Sequence, residues 1–114
     1  MPVRHIVLFG FKPDASPDSI KQCCDEMLRL KEQCVLASTG ETYITASSGG
    51  KDVSIEGLQN GFTHAFVVEF ASAADRDFYV NEDKAHHAFV DRWIKSADGI
   101  AAKAMVVDFA PGSF

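Results

Sequence analysis

GFTHAFVVEF, running from Gly61 to Phe70, sets the fold. Read with a period of two, it places His64, Phe66, Val68 and Phe70 on one face and Thr63, Ala65, Val67 and Glu69 on the other, the alternation of a β-strand. Both faces are apolar through most of their length, so the sheet holding this strand is covered on both sides. His64 sits at the mouth of the more aromatic face. An apolar enclosure with an imidazole at one end suits proton-transfer chemistry.

The chain opens on the same pattern. From Val3 to Lys12, one side carries Val3, His5, Val7, Phe9 and Phe11 and the other Ile6 and Leu8, so His5 is a second polar ring among valines and phenylalanines. Ser16, Pro17 and Asp18 then supply an N-cap, a first helical residue and a first-turn acid. Ile20, Cys23, Cys24, Met27, Leu28, Leu30 and Cys34 fall on one stripe of the helix that follows. Glu41 to Ala46 predicts a short strand carrying Tyr43 and Ile44, and Ser47 to Asn60, rich in Ser, Gly and Asn, predicts a long loop and a candidate lid.

Beyond the central strand, Ser72 and Asp75 have capping-box spacing and open a helix that breaks at Asn81 to Lys84. A second helical piece puts His86, Phe89, Val90, Trp93 and Ile94 on one face, so His86 points inward. His87, about 100° further round, points to the surface, within reach of Asp91. Gly99 closes this helix, and Lys103 to Phe109 is a last strand.

The order strand, helix, strand, strand, helix, strand is that of an α+β fold: a four-stranded antiparallel sheet with both helices on one face. Ile6, Leu8, Ala65, Val67, Met105 and Val107 remain on the other face, a patch that a monomer leaves wet. A symmetric homodimer packed sheet on sheet covers it.

The 114 residues, 46% of them hydrophobic, suffice for one domain spanning 1–114. A net charge of -5 with no Lys/Arg cluster argues against nucleic acid and against an anionic membrane surface. No apolar run reaches bilayer length and no signal-peptide core precedes the first strand, which points to a cytoplasmic protein. Three cysteines, two of them adjacent, fit a reducing compartment and read as small core residues rather than nucleophiles. Four histidines without metal-type spacing predict no metal site.

The opening VRHIVLFGFK, the central GFTHAFVVEF, the segment YVNEDKAHHAF and the closing MVVDF together resemble the signature stretches of the stress-responsive A/B barrel (Dabb) family. That resemblance implies a ferredoxin-like βαββαβ fold that dimerises into an α+β barrel. The family includes stress-induced plant proteins and a plant polyketide cyclase, olivetolic acid cyclase, which closes an aromatic ring by aldol condensation without cofactor or metal. The resemblance places that cyclase's working groups on His5, His64, Tyr79 and His86, in a pocket between sheet and helices. The family motif runs tyrosine, two residues, then His-Pro-x-His. Here Tyr79 is followed by Val80-Asn81-Glu82-Asp83-Lys84-Ala85-His86, with one extra residue and acidic residues in place of the first histidine and the proline. Cys23, Cys24 and Met27 stand where the cyclase has bulky aromatics, which implies a differently shaped pocket.

A set of this kind fits aldol-type cyclisation, isomerisation or a related lyase step on a small apolar carbonyl or polyketide-type substrate. Imidazole is the side chain closest to a neutral-pH base, which assigns His86 as base and Tyr79 as donor, with His5 and His64 orienting. Val7, Phe9, Cys23, Cys24, Met27, Phe66, Phe89 and Trp93 are the expected lining. Related barrels bind haem through a helical histidine, but nothing in the sequence selects that group, and no cofactor is expected. The alternative is a non-catalytic stress-responsive or ligand-binding dimer. A cavity below about 300 Å³ would favour it.

Overall fold

The computed structural model describes residues 1–114. The first alternating stretch forms β1 (Val3–Phe11), and α1 (Pro17–Gln33) starts where Ser16 accepts from the Ser19 N–H. β2 (Ile44–Lys51) and β3 (His64–Phe70) follow, and Ser72 accepts from the Asp75 N–H to open α2 (Ala73–Asn81). Next come α3 (Lys84–Val90), a π-helical turn over Asp91–Lys95, and β4 (Ala101–Phe109). The sheet runs β2-β3-β1-β4 with every pair antiparallel, so β1 and β3 are central and apolar on both faces. This is the expected ferredoxin-like arrangement, with three helices rather than two on the inner face because the second helical region divides at Glu82 and Asp83.

The core lies between that inner face and the helices. Val7, Phe9, Phe66, Val68 and Phe70 rise from the sheet to meet Cys23, Met27, Leu30 and Cys34 of the α1 side and Tyr79, Phe89 and Trp93 of the second helical region. Each large apolar side chain buried here contributes about 1.5–3 kcal/mol relative to leaving it in water. Trp93 gains a polar anchor as well, since its indole N–H donates to Glu26 at 3.1 Å.

The expected loop over Ser47 to Asn60 is overturned in its first part. Ser47 to Lys51 continue β2, paired with Val68 down to His64, and the irregular segment begins at Asp52. Two glycines in a row read as a break, yet β2 is an edge strand and Gly49 sits directly across from Phe66. A Cβ at Gly49 would fall 2.2 Å from the Phe66 ring and 2.7 Å from the Ala65 carbonyl, so the ring occupies the space a side chain would need. Gly49→Ala is therefore expected to destabilise the fold by about 1–3 kcal/mol, the usual cost of overpacking. A denaturant midpoint equal to that of the unaltered chain would refute it.

The outer face carries Ile6, Leu8 and Val67 half-buried, with Ala65, Met105, Val107 and Phe109 exposed. No helix is long and apolar enough to cross a membrane.

Candidate active site

The site follows from which inner-face residues share one end of the sheet. β1 and β4 pair so that His5 lies opposite Asp108, Val7 opposite Val106 and Phe9 opposite Ala104. α2 and α3 lie above this end, and between them and the sheet is a cavity of about 470 Å³. It is lined by His5, Val7, Phe9, Met27, Tyr79, His86, Phe89, Val90, Ile94, Ala104 and Val106, with Arg76, Asp77, Val80, Asn81 and Asp108 completing the wall. The volume lies within the range of small-molecule sites. Val106 is 53% exposed, so the cavity is open along β4.

Two imidazoles meet there. His5 is 4% exposed, and its Nδ1 lies 2.7 Å from Asp108 Oδ1. A carboxylate only accepts, so Nδ1 carries the proton and Nε2 is left for the cavity. Asp108 is itself fixed, because Arg76 donates to its other oxygen at 2.8 Å.

His86 owes its position to the break between helices. At the end of α2, the Glu82 and Asp83 N–H groups both turn back to the Phe78 carbonyl, which leaves the carbonyls of Tyr79 and Val80 without helical donors. His86 Nδ1–H donates to the Tyr79 carbonyl at 2.9 Å, and His87 Nε2–H donates to the Val80 carbonyl at 2.9 Å. His87 is thus half-buried and tied to α2, not a surface partner of Asp91. With Nδ1 committed, His86 presents Nε2 as a lone pair that has no protein partner and is not sealed from solvent. Burial pushes its pKa down to about 4, and the neighbouring His5 and His87 push the same way. At neutral pH the ring is an uncharged acceptor.

The structure brings His5, Tyr79 and His86 together and leaves His64 out. His64 pairs with Phe9, at the far end of β3 from His5's partner Val68. It packs edge-on against Phe11 at 5.1 Å and bonds Thr63 at 2.8 Å. Tyr79 stacks on His86 with centroids 3.8 Å apart and crosses His5 edge-on at 5.6 Å. Its hydroxyl, however, is fully buried without a partner, so the ring rather than the O–H faces the site. Of the residues named as lining from the sequence, Val7, Phe9, Met27 and Phe89 border the cavity, whereas Cys23, Cys24, Phe66 and Trp93 do not. Cys23 is a core residue whose thiol burial pushes up to about 12, and burial likewise raises the Cys24 thiol, so neither is an activated nucleophile. Asp108 and Arg76, which stand behind His5 in the cavity wall, are the candidate residues that pattern reading missed.

The stress responsive A/B barrel domain family matches residues 3–111. A stress-response A/B barrel domain-containing protein of Arabidopsis thaliana, HS1, is 34% identical over 112 residues, covering 98% of this chain and 92% of that protein. A crystal structure of an Arabidopsis thaliana protein superposes with a TM-score of 0.81 at 29% identity, over 98% of this chain and 97% of the other. A hydroxynitrile lyase from Passiflora edulis superposes with a TM-score of 0.79 at 23% identity, over 99% and 96%. A dimeric ferredoxin-like protein of unknown function from Thermobifida fusca does so with a TM-score of 0.70 at 19% identity, over 96% and 91%.

Proposed function

This chain belongs to the stress-responsive A/B barrel domain family, and from that premise and the geometry of its cavity we propose a cofactor-independent enzyme that makes or breaks a carbon–carbon bond beside a carbonyl group. The observation that carries the reading is the imidazole of His86, which lines an apolar cavity of about 470 Å³ with its Nδ1–H held by the Tyr79 carbonyl and its Nε2 left without a protein partner. In the forming direction, Nε2 takes a proton from carbon next to a carbonyl, the freed electron pair attacks a second carbonyl, and the resulting alkoxide takes a proton back. In the breaking direction, the same nitrogen takes the hydroxyl proton, the carbonyl forms, and the departing carbanion is protonated. Nε2 of His5, oriented by Asp108 and Arg76, stands on the same cavity as an acceptor that holds the substrate hydroxyl in place. Val7, Phe9, Met27 and Phe89 exclude water and hold the reacting groups together.

The substrate class is a small, largely apolar carbonyl compound, in a ring-closing polyketide-type reaction or a lyase step. A hydroxynitrile lyase on the same fold, at 23% identity, makes the lyase step the first to assay. The test is release of aldehyde or ketone from a panel of small hydroxynitriles and β-hydroxy ketones, together with cyclisation of short poly-β-ketones. Turnover should rise with pH through about 4 and then level off, following deprotonation of His86. If panel members bind but none turns over, the protein is a ligand-binding module instead.

Asp108→Asn separates orientation from mere contact. Arg76 only donates, so the single amide oxygen would turn to it and the amide N–H₂ would face His5 Nδ1. That forces His5 into the opposite tautomer, and turnover should fall on the order of 100-fold. A rate within twofold of the unaltered protein would exclude His5 from the reaction.

A homodimer through the outer sheet face belongs to the same proposal. Met105, Val107 and Phe109 are exposed there beside Ile6 and Leu8, and similar folds are described as dimeric. Val107→Asp should shift a dimer toward monomer in sedimentation velocity, and a monomeric unaltered protein would end this part of the reading.

A further inference from the structure

One buried carboxylate takes no part in the chemistry above, yet it touches the residue that does. Asp83 is 3% exposed and lies between α2 and α3. Its Oδ1 accepts from the backbone N–H of His86 at 3.0 Å, and its Oδ2 accepts from the Tyr43 hydroxyl at 2.6 Å. Tyr43 is 40 residues away in sequence, itself buried, and stacked on Phe70 of the sheet.

The geometry assigns Tyr43 and Asp83 as a positioning pair that anchors the first turn of α3 to the sheet and thereby fixes the ring of His86. An N-cap needs only a side-chain oxygen, and most stand in water. A carboxylate withdrawn from water is costly unless its oxygens are hydrogen-bonded, so its burial here needs donors, and Tyr43 and His86 supply them. The Cys34 thiol, buried beside Asp83, has its pKa raised by that burial and then by the carboxylate, which marks it as a neutral neighbour. The capped residue is the one whose imidazole stands in the cavity. His86 is therefore held at two points, its backbone N–H by Asp83 and its Nδ1–H by the Tyr79 carbonyl. Since the Tyr79 carbonyl belongs to α2 and Asp83 is tied to the sheet, α3 cannot rotate without breaking one of these bonds.

This assignment rests on reading His86 as the base, but it is tested by a signal that needs no substrate. In ¹⁵N-labelled full-length protein, long-range ¹H–¹⁵N spectra report which ring nitrogen of His86 carries the proton and where the ring titrates. The groups that face this ring and set its titration are His5 from β1, Tyr79 from α2, and Asp83 and His87 beside it on α3, with Asp108 and Arg76 behind His5. Asp83→Ala should mix the two tautomers and shift the titration midpoint upward, because loosening the ring toward water relieves burial, the largest cause of its depression, and this outweighs loss of the small upward pull of the carboxylate. Any turnover should fall on the order of 10- to 100-fold in kcat with less change in KM. Asp83→Asn, which caps a helix about as well, should restore the single tautomer. Tyr43→Phe keeps the ring packing and removes only the hydroxyl, and it should give part of the Asp83→Ala effect. It carries the test if Asp83→Ala does not fold. An unchanged His86 tautomer and midpoint in Asp83→Ala, or in Tyr43→Phe where that variant stands in, would overturn the assignment. Altered ring signals in a protein with no turnover would leave the pair in place and remove the catalytic reading of His86 alone.

Discussion

His86→Asn is expected to lower kcat/KM by about 10²–10⁴-fold, the contribution of a well-placed general base, and to do so mainly through kcat. Asparagine is chosen because its amide N–H₂ can replace Nδ1–H as donor to the Tyr79 carbonyl, so the end of α2 stays satisfied. What disappears is the Nε2 lone pair. The Asp83 bond to the backbone N–H is untouched, and the cavity gains only the volume of the lost ring edge. Binding of a product analogue should persist within a few-fold, because Val7, Phe9, Met27 and Phe89 supply the apolar contact. A variant turning over within threefold of the unaltered protein would remove His86 from the mechanism and leave His5 as the remaining imidazole on the cavity.

The two central strands were legible because burial on both faces leaves a two-residue alternation of apolar residues, and β1 and β3 lie where that alternation put them. His86 was legible for a similar reason, since the stripe of Phe89, Val90, Trp93 and Ile94 fixes its phase on the helix. Periodicity gives a residue's face but not the end of the sheet it occupies. His5 and His64 each stand near the start of a strand, and antiparallel pairing carries the two starts to opposite ends. His64 sits opposite Phe9, four residues along β1 from His5, which is roughly 13 Å at the rise of a strand. The error was thus topological. Asp108 was hidden for the complementary reason. It looks like an ordinary charge closing an edge strand until the β1–β4 register sets it across from His5. The second half of β2, Ser47 to Lys51, was missed because Gly49 and Gly50 have weak strand propensity, and the Phe66 ring that makes Gly49 fit belongs to another strand. The hydroxyl of Tyr79 was misread because no sequence rule says which end of a buried phenol faces a cavity.

Acid should destabilise this protein through His86, and the sign follows from its depressed pKa. The folded value is about 4, against 6.5 for a free imidazole. Above pH 6.5 both folded and unfolded chains hold the ring neutral, and the contribution to stability is fully present. As pH falls from 6.5 toward 4, the unfolded chain gains a proton that the folded one refuses, and that contribution is lost. At pH 4.5 the loss should reach about 2–3 kcal/mol, since one unit of pKa difference corresponds to about 1.4 kcal/mol. His64, depressed by burial and then by Lys51, pushes in the same direction, but it is more exposed and its share is smaller. The effect of His86 is isolated by comparing urea unfolding of the unaltered protein and His86→Asn at pH 7 and at pH 4.5. The variant should lose about 2–3 kcal/mol less between the two pH values, because an amide does not titrate. Equal losses in the two proteins would mean that His86 is charged in the folded state at pH 4.5 and is not the buried neutral ring described above. With His86 as the proposed base, the midpoint of the acid limb of turnover and the midpoint required by the stability difference should coincide near 4. Two different midpoints would assign the kinetic limb to another residue, with His5 the first to test because its Nε2 stands on the same cavity.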